Sequence, residues 1–205
     1  MEPVEVSVVQ FASTDGTVLE GDLLVPADAT GSAVVCHPHP LYGGSRQDAV
    51  VAALTRAFVG AGRRVLRFDF RGSGGSGGTH DSGGAERNDL RAALEEFDPG
   101  GGPLTIAGYS FGADIALSID HPAADRWIVV APPLAAVAAD ELVAPSDPRP
   151  VTVIAAAHDQ FNSPEQLRPR MATWKGATLR VVESADHFFT GAHRQVSELA
   201  AAALR

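Results

Sequence analysis

Apolar residues recur along the chain with two different periods. Residues 4–11 alternate apolar with polar side chains, Ser13-Thr14-Asp15-Gly16 interrupts them, and 17–25 resume the alternation. That pattern predicts an antiparallel hairpin with an Asp-Gly turn. Beyond it, short apolar runs take turns with stretches of helical period. The runs 33–36, 64–70, 104–109, 127–131, 151–157 and 178–182 predict buried strands. Residues 48–61, closed by Gly62, predict an amphipathic helix, and so do 85–97, 111–119 and 193–204. Strands alternating with helices predict an α/β fold, a mostly parallel sheet with helices on both faces and an antiparallel N-terminal opening.

Two stretches fall outside this rhythm. Arg71-Gly72-Ser73-Gly74-Gly75-Ser76-Gly77-Gly78 follows a strand, so a phosphate-cradling loop comes into question. It lacks the Gly-Lys-Ser/Thr ending of a P-loop, and the next helix starts only near residue 85, so it reads as a flexible surface loop at the carboxyl edge of the sheet. Residues 132–150 hold five prolines and leave room for one short helix but not for a lid domain.

The stretch on which chemistry converges is Leu104 to Ile119. It contains Gly108-Tyr109-Ser110-Phe111-Gly112, a G-x-S-x-G pattern set between an apolar strand and a helix. On such a turn the serine backbone is forced into strain and its hydroxyl is held out toward a substrate; the glycines are required because a Cβ would strike the neighbouring strand or helix. Gly74-Gly75-Ser76-Gly77-Gly78 also matches but has neither the strand nor the helix.

A serine hydroxyl needs a base. Of seven histidines, His187 lies after the last predicted strand and before the closing helix, on the edge where Ser110 sits; His121 and His193 lie in or beside helices, and His80 is in the glycine loop. The imidazole in turn needs an acceptor. Asp159 follows the strand 151–157, whereas Asp186 adjoins His187 and is badly aimed, Asp147 precedes a strand, and the strand ending at Ala131 runs into Pro132-Pro133. The order Ser110, Asp159, His187 is that of the α/β-hydrolase fold. For the oxyanion hole, Phe111 offers the N–H after the serine. Pro38 and Pro40 in the loop His37-Pro38-His39-Pro40-Leu41-Tyr42-Gly43-Gly44 cannot donate, which leaves Leu41, with Tyr42 second. His37 and His39 lack further ligands at metal spacing, so no metal or other cofactor is expected; one of them is expected to pin this loop.

The totals narrow the setting. A chain of 205 residues with 45% hydrophobic and 20% charged residues suits one domain, 1–205. No uncharged apolar run is long enough to span a membrane. The acidic N-terminus and the lone Cys36 lead to an expectation of the cytoplasm, and a net charge of -9 disfavours nucleic acid.

Taken together, His37 to Gly44, Phe68-Asp69-Phe70-Arg71-Gly72-x-Gly74-x-Ser76, Gly108 to Gly112, Asp159 and Asp186-His187-Phe188-Phe189 make the chain resemble the small, capless α/β-hydrolases with a His-Pro-His-Pro-x-x-Gly-Gly loop, akin to dienelactone hydrolases and other short esterases. The resemblance implies eight strands with the first pair antiparallel and a triad of Ser110, His187 and Asp159. Dienelactone hydrolases carry cysteine at the elbow where this chain has serine, so their substrate does not carry over, and His158 stands where a glycine often precedes the acid. The expected activity is hydrolysis of a small or short-chain carboxylic ester, or a thioester, through an acyl-enzyme. An amidase or perhydrolase, or a non-catalytic binding protein of this fold, are the alternatives. Without a lid, Tyr42, Phe161, Phe188 and Phe189 are the expected apolar walls, with His39 beside them as a binding residue. The expected partner is a small-molecule ester, and a monomer or homodimer is expected.

Overall fold

The computed structural model describes residues 3–97 and 102–205. Eight strands form one sheet in the order β1-β2-β4-β3-β5-β6-β7-β8. They are β1 (Val4–Ala12), β2 (Val18–Pro26), β3 (Gly31–Cys36), β4 (Arg63–Phe68), β5 (Leu104–Tyr109), β6 (Ala124–Val130), β7 (Val151–His158) and β8 (Ala177–Asp186). β2 runs antiparallel to β1 and β4, and every other pairing is parallel. The hairpin expected at the start closes through Ser13, whose N–H and C=O bond Thr17 and Gly16, with Gly16 at φ 84°.

The central strands read as unbroken apolar runs because they are covered twice. α1 (Ala49–Gly60) and α5 (His193–Ala203) lie on one face, over Ala33, Val35, Val65, Ala107, Ile128 and Ile154. α2 (Glu86–Phe97), α3 (Phe111–Leu117) and α4 (Pro164–Met171) lie on the other, over Val34, Leu66, Ile106, Val129 and Val153. Asp48 starts α1 by accepting the Val50 and Val51 N–H groups at 2.7 and 3.4 Å. No helix among the described residues is long and apolar enough to cross a membrane.

The structure departs from the sequence pattern in four places. β4 stops at Phe68, because Asp69 and Phe70 turn away into the glycine loop. β8 runs four residues past the predicted end; it is an edge strand, and the polar Glu183, Ser184 and Asp186 on its exposed side hide the strand from an apolar count. α4 was not anticipated, because it is short and mostly polar, with only Pro164, Leu167 and Met171 of its eight residues buried. Pro164 occupies the first helical position, and the Gln166 side chain accepts the Ser163 N–H at 2.8 Å. Residues 132–150 hold two single 3-10 turns, Ala139–Glu141 and Ala144–Ser146, in place of a short helix.

The glycine loop is tied down and does not behave as a free surface loop. Gly72 N–H donates to Gly77 O (2.9 Å), Gly77 N–H to Val18 O (2.8 Å), and the Ser76 hydroxyl to Asp69 O (2.6 Å). A Cβ at Gly74 or Gly75 would strike the carboxylates of Asp69 or Glu20, so these glycines permit the loop to lie against the buried Asp69 and the half-buried Glu20.

Phe58 of α1 is fully buried between the sheet and α5. Phe58→Ala is expected to lower unfolding free energy by about 3–5 kcal/mol, measured as an earlier urea midpoint with an unchanged slope.

Candidate active site

Three strand ends bring the site together. Ser110 follows β5, Asp159 follows β7 and His187 follows β8, all at the carboxyl edge of the sheet. Ser110 takes φ 54° and ψ -121°, a conformation that a serine adopts at a cost of about 1–3 kcal/mol. It is held there by its own N–H, which donates to Val130 O (2.9 Å), and by its C=O, which accepts from Ala113 N–H (2.9 Å). The two flanking glycines have distinct reasons. A Cβ at Gly108 would collide with the backbone of Gly112, and one at Gly112 with the backbone of Cys36 and His37.

Ser110 Oγ and His187 Nε2 are 2.9 Å apart, and His187 Nδ1 and Asp159 Oδ2 are 2.8 Å apart. His187 and Asp159 are buried, while Ser110 opens to a cleft. The Asp159 carboxylate is fixed from behind, since its Oδ1 accepts the N–H groups of Phe161 (2.8 Å) and Asn162 (3.2 Å). Asn162 in turn donates to Pro132 O at 2.9 Å, tying this turn to the exit of β6. Asp186 accepts the Phe188 N–H (3.1 Å) and leaves the imidazole to Asp159. His158, at the position where a glycine was noted, ends β7 in register with Asp186.

Tyr109 has a part that the motif did not disclose. Its buried hydroxyl donates to the main-chain oxygen of His187 at 2.9 Å, so the strand before the serine also holds the loop that carries the imidazole. Burial, with Asp48 and Asp159 nearby, pushes the phenol pKa up and keeps it a donor.

The loop after β3 is pinned by His37. Its Nδ1 donates to Pro38 O (2.6 Å), and its Nε2 accepts the Phe70 N–H (2.9 Å), with the Ser73 hydroxyl 3.0 Å away. Arg46, at the far end of the same loop, is bound by Glu20, Asp22 and Asp69. The Leu41 and Tyr42 N–H groups, expected in the oxyanion hole, are engaged within the loop. Pro40 starts a 3-10 turn, in which Leu41 N–H donates to His39 Nδ1 (3.3 Å) and Tyr42 N–H to His39 O (3.1 Å). The N–H groups of His39 and Phe111 donate to nothing among the described residues.

The cleft holds about 740 Å³ and is walled by His39, Tyr42, Phe111, Phe161, Phe188 and Ala135, with Ser110 and His187 on its floor. Tyr42, Phe161 and Phe188 are exposed at its rim. Phe189 is not a wall. It is fully buried against Tyr109, edge to face, at φ 51°. The ring of His80 lies against His39 at a tilt of 53°, with ring centres 4.6 Å apart, and its Nδ1 lies 2.7 Å from the fully buried Glu86, off the axis of a linear hydrogen bond. Nothing in the spacing of residues 71–86 announced this; only the acid at the start of α2 hinted at an anchor. No group of His, Cys, Asp or Glu among the described residues is arranged to hold a metal ion.

This eight-stranded sheet, its lidless carboxyl edge and the serine, histidine and aspartate meeting there define a member of the capless α/β-hydrolase superfamily with a serine-hydrolase-like site. Solved structures agree. An α/β serine hydrolase homologue from Coxiella burnetii superimposes with a TM-score of 0.87 at 27% identity, covering 100% of this chain and 99% of that one. XC6422 from Xanthomonas campestris, described as an α/β serine hydrolase without lid, gives the same TM-score and identity over 100% of this chain and 96% of that one. No family model matches the sequence. The chain belongs to the family of the uncharacterized protein RP471 of Rickettsia prowazekii, with 32% identity over 170 residues, 77% of this chain and 71% of that protein.

Burial drives the His37 pKa down to about 4 from 6.5. Between these values the unfolded chain holds a proton that the folded protein refuses, so stability falls as pH drops from 6.5 toward 4. In His37→Gln this part of the slope is expected to vanish, as read from urea midpoints of parent and variant across that range.

Proposed function

We propose that the protein is a serine hydrolase of small or short-chain carboxylic esters, thioesters included, working through an acyl-enzyme. The observation that carries this reading is the unbroken line from Ser110 Oγ through His187 to Asp159 at a strained turn that opens on a cleft. Asp159 accepts the Nδ1 proton of His187 and so leaves Nε2 a lone pair for the serine proton. Ser110 Oγ then attacks the ester carbonyl. His187 returns the proton to the departing alcohol and afterwards activates the water that releases the acid.

The developing oxyanion needs donors that are not already engaged. Phe111 N–H at the start of α3 is one. For the second we assign the His39 N–H in place of Leu41 or Tyr42, since those two serve the loop's own turn. The short-chain preference is supported by the open cleft with an exposed aromatic rim, which offers no enclosed tunnel for a long acyl chain. Lactone specificity of the dienelactone type is not part of the proposal, because serine stands at the elbow.

Ser110→Ala is expected to lower kcat on 4-nitrophenyl acetate by about 10⁶ and to abolish labelling by a fluorophosphonate probe. A variant as active as the parent overturns the assignment. Across a series of 4-nitrophenyl esters, kcat/KM is expected to decline beyond short acyl chains; a steady rise to C16 would refute the short-chain preference.

A further inference from the structure

The hydrolase mechanism uses the backbone of His39 and leaves its side chain unexplained. Three observations bear on that ring. It lines the same cleft as Ser110 and His187, packed against Phe111 with ring centres 5.0 Å apart. Its Nδ1 accepts the Leu41 N–H, so Nδ1 is unprotonated and the ring proton resides on Nε2. Nε2 has no partner among the described residues, whereas the ring of His80, beside the buried Glu86, packs at a tilt against the His39 ring. Glu86 is itself held by the N–H groups of Asp81 (2.7 Å) and Gly83 (2.8 Å). The residue whose main-chain N–H is assigned to the oxyanion therefore also brings a neutral ring N–H donor to the cleft.

We propose that His39 is a specificity-determining residue, its Nε2–H receiving an uncharged oxygen of the substrate, an ether, hydroxyl or carbonyl group close to the scissile ester. The assignment rests on the ester-hydrolase reading and narrows its substrate class from plain alkyl esters to oxygen-bearing ones. An anionic carboxylate is a poorer match. No lysine or arginine lines the cleft among the described residues, Asp48 does, and Asp159 lies just behind His187. Burial and the neighbouring His80 also hold the His39 pKa below its ordinary value, which keeps the ring neutral. A donor whose partner is missing in the complex loses its hydration for no return, so an isosteric alkyl ester is discriminated against.

The test uses two isosteric pairs in which one oxygen replaces a methylene: 4-nitrophenyl methoxyacetate against 4-nitrophenyl butanoate on the acyl side, and 2-methoxyethyl acetate against butyl acetate on the alcohol side. Each kcat/KM is divided by the ester's own hydroxide-catalysed rate, which removes intrinsic reactivity. The parent is expected to favour the oxygen-bearing ester by about fivefold on one of the two sides, the factor that a neutral hydrogen bond supplies. His39→Asn keeps an acceptor where Nδ1 meets the Leu41 N–H and removes the Nε2 donor; its ratio is expected to fall to about one. His39→Gln places an amide N–H where Nε2 was and is expected to keep the preference. Changes to the oxyanion loop alter both members of a pair alike and cancel in the ratio. A parent without preference on either side, a preference that survives in His39→Asn, or one lost in His39→Gln overturns the assignment. A parent that turns over none of the four esters defeats the hydrolase reading itself, and this inference with it.

Discussion

The site depends on how closely three backbone segments approach one another around residue 110. The end of β3, the end of β5 and the start of α3 pack with no room for a Cβ at Gly108 or Gly112. That contact forces the left-handed turn at Ser110, which lifts the hydroxyl clear of the sheet and leaves the Phe111 N–H open at the helix start. The same contact sets the distance between the loop at His37 and the serine, because it is the His37 and Cys36 backbone that Gly112 touches. Strain at one residue is tolerable when its neighbours over-determine it. Here the Ser110 N–H is bonded to Val130 and its C=O to Ala113, so relaxation would break main-chain hydrogen bonds as well as packing.

Around this centre the loops are held by buried acids. Asp69 gathers the Arg46 N–H and guanidinium with the Gly75 N–H, Asp89 takes Arg71, Asp114 takes the N–H groups of Leu134, Ala135 and Ala136, and Glu86 takes those of Asp81 and Gly83. An ion out of water is costly unless its oxygens are fully used. Each of these carboxylates meets that condition by binding main-chain N–H groups or a guanidinium, and in doing so fixes a loop that has no regular structure of its own. Burial pushes the Asp114 pKa up against the pull of its three donors. The loops at the carboxyl edge thus gain their shape from charge and hydrogen bonding, whereas the strands beneath gain theirs from apolar contact.

That division explains what was legible in the sequence. Central strands, covered on both faces, leave continuous apolar runs, and β5 was read with its true ends. The serine elbow was legible because the glycines and the strand-helix context answer to one steric requirement, and the placement of Asp159 and His187 followed from their positions after strands. Polar anchoring was not legible in the same way. That the Leu41 and Tyr42 N–H groups turn inward depends on the His39 ring and the Pro40 turn, and the approach of His80 to His39 depends on Glu86, more than forty residues away in sequence from the cleft-lining loop. α4 was missed because its residues are mostly polar and only Pro164, Leu167 and Met171 are buried, which leaves too few apolar side chains to mark a helical period. The end of β8 was missed because an edge strand needs apolar residues on one side only.

β8 carries a further implication. It has a single neighbour in the sheet, β7, and the imidazole hangs directly from its last residue. Margins of a sheet open at lower free energy than its middle, so the histidine is seated at an edge strand while the serine follows a central one. The half of the site that carries the imidazole and the half that carries the serine therefore rest on strands of different security. Fraying at one border would part the imidazole from the serine while the interior is still whole, and the Tyr109 hydroxyl, reaching from β5 to the main chain of His187, joins Ser110 Oγ and Asp159 in tethering that border.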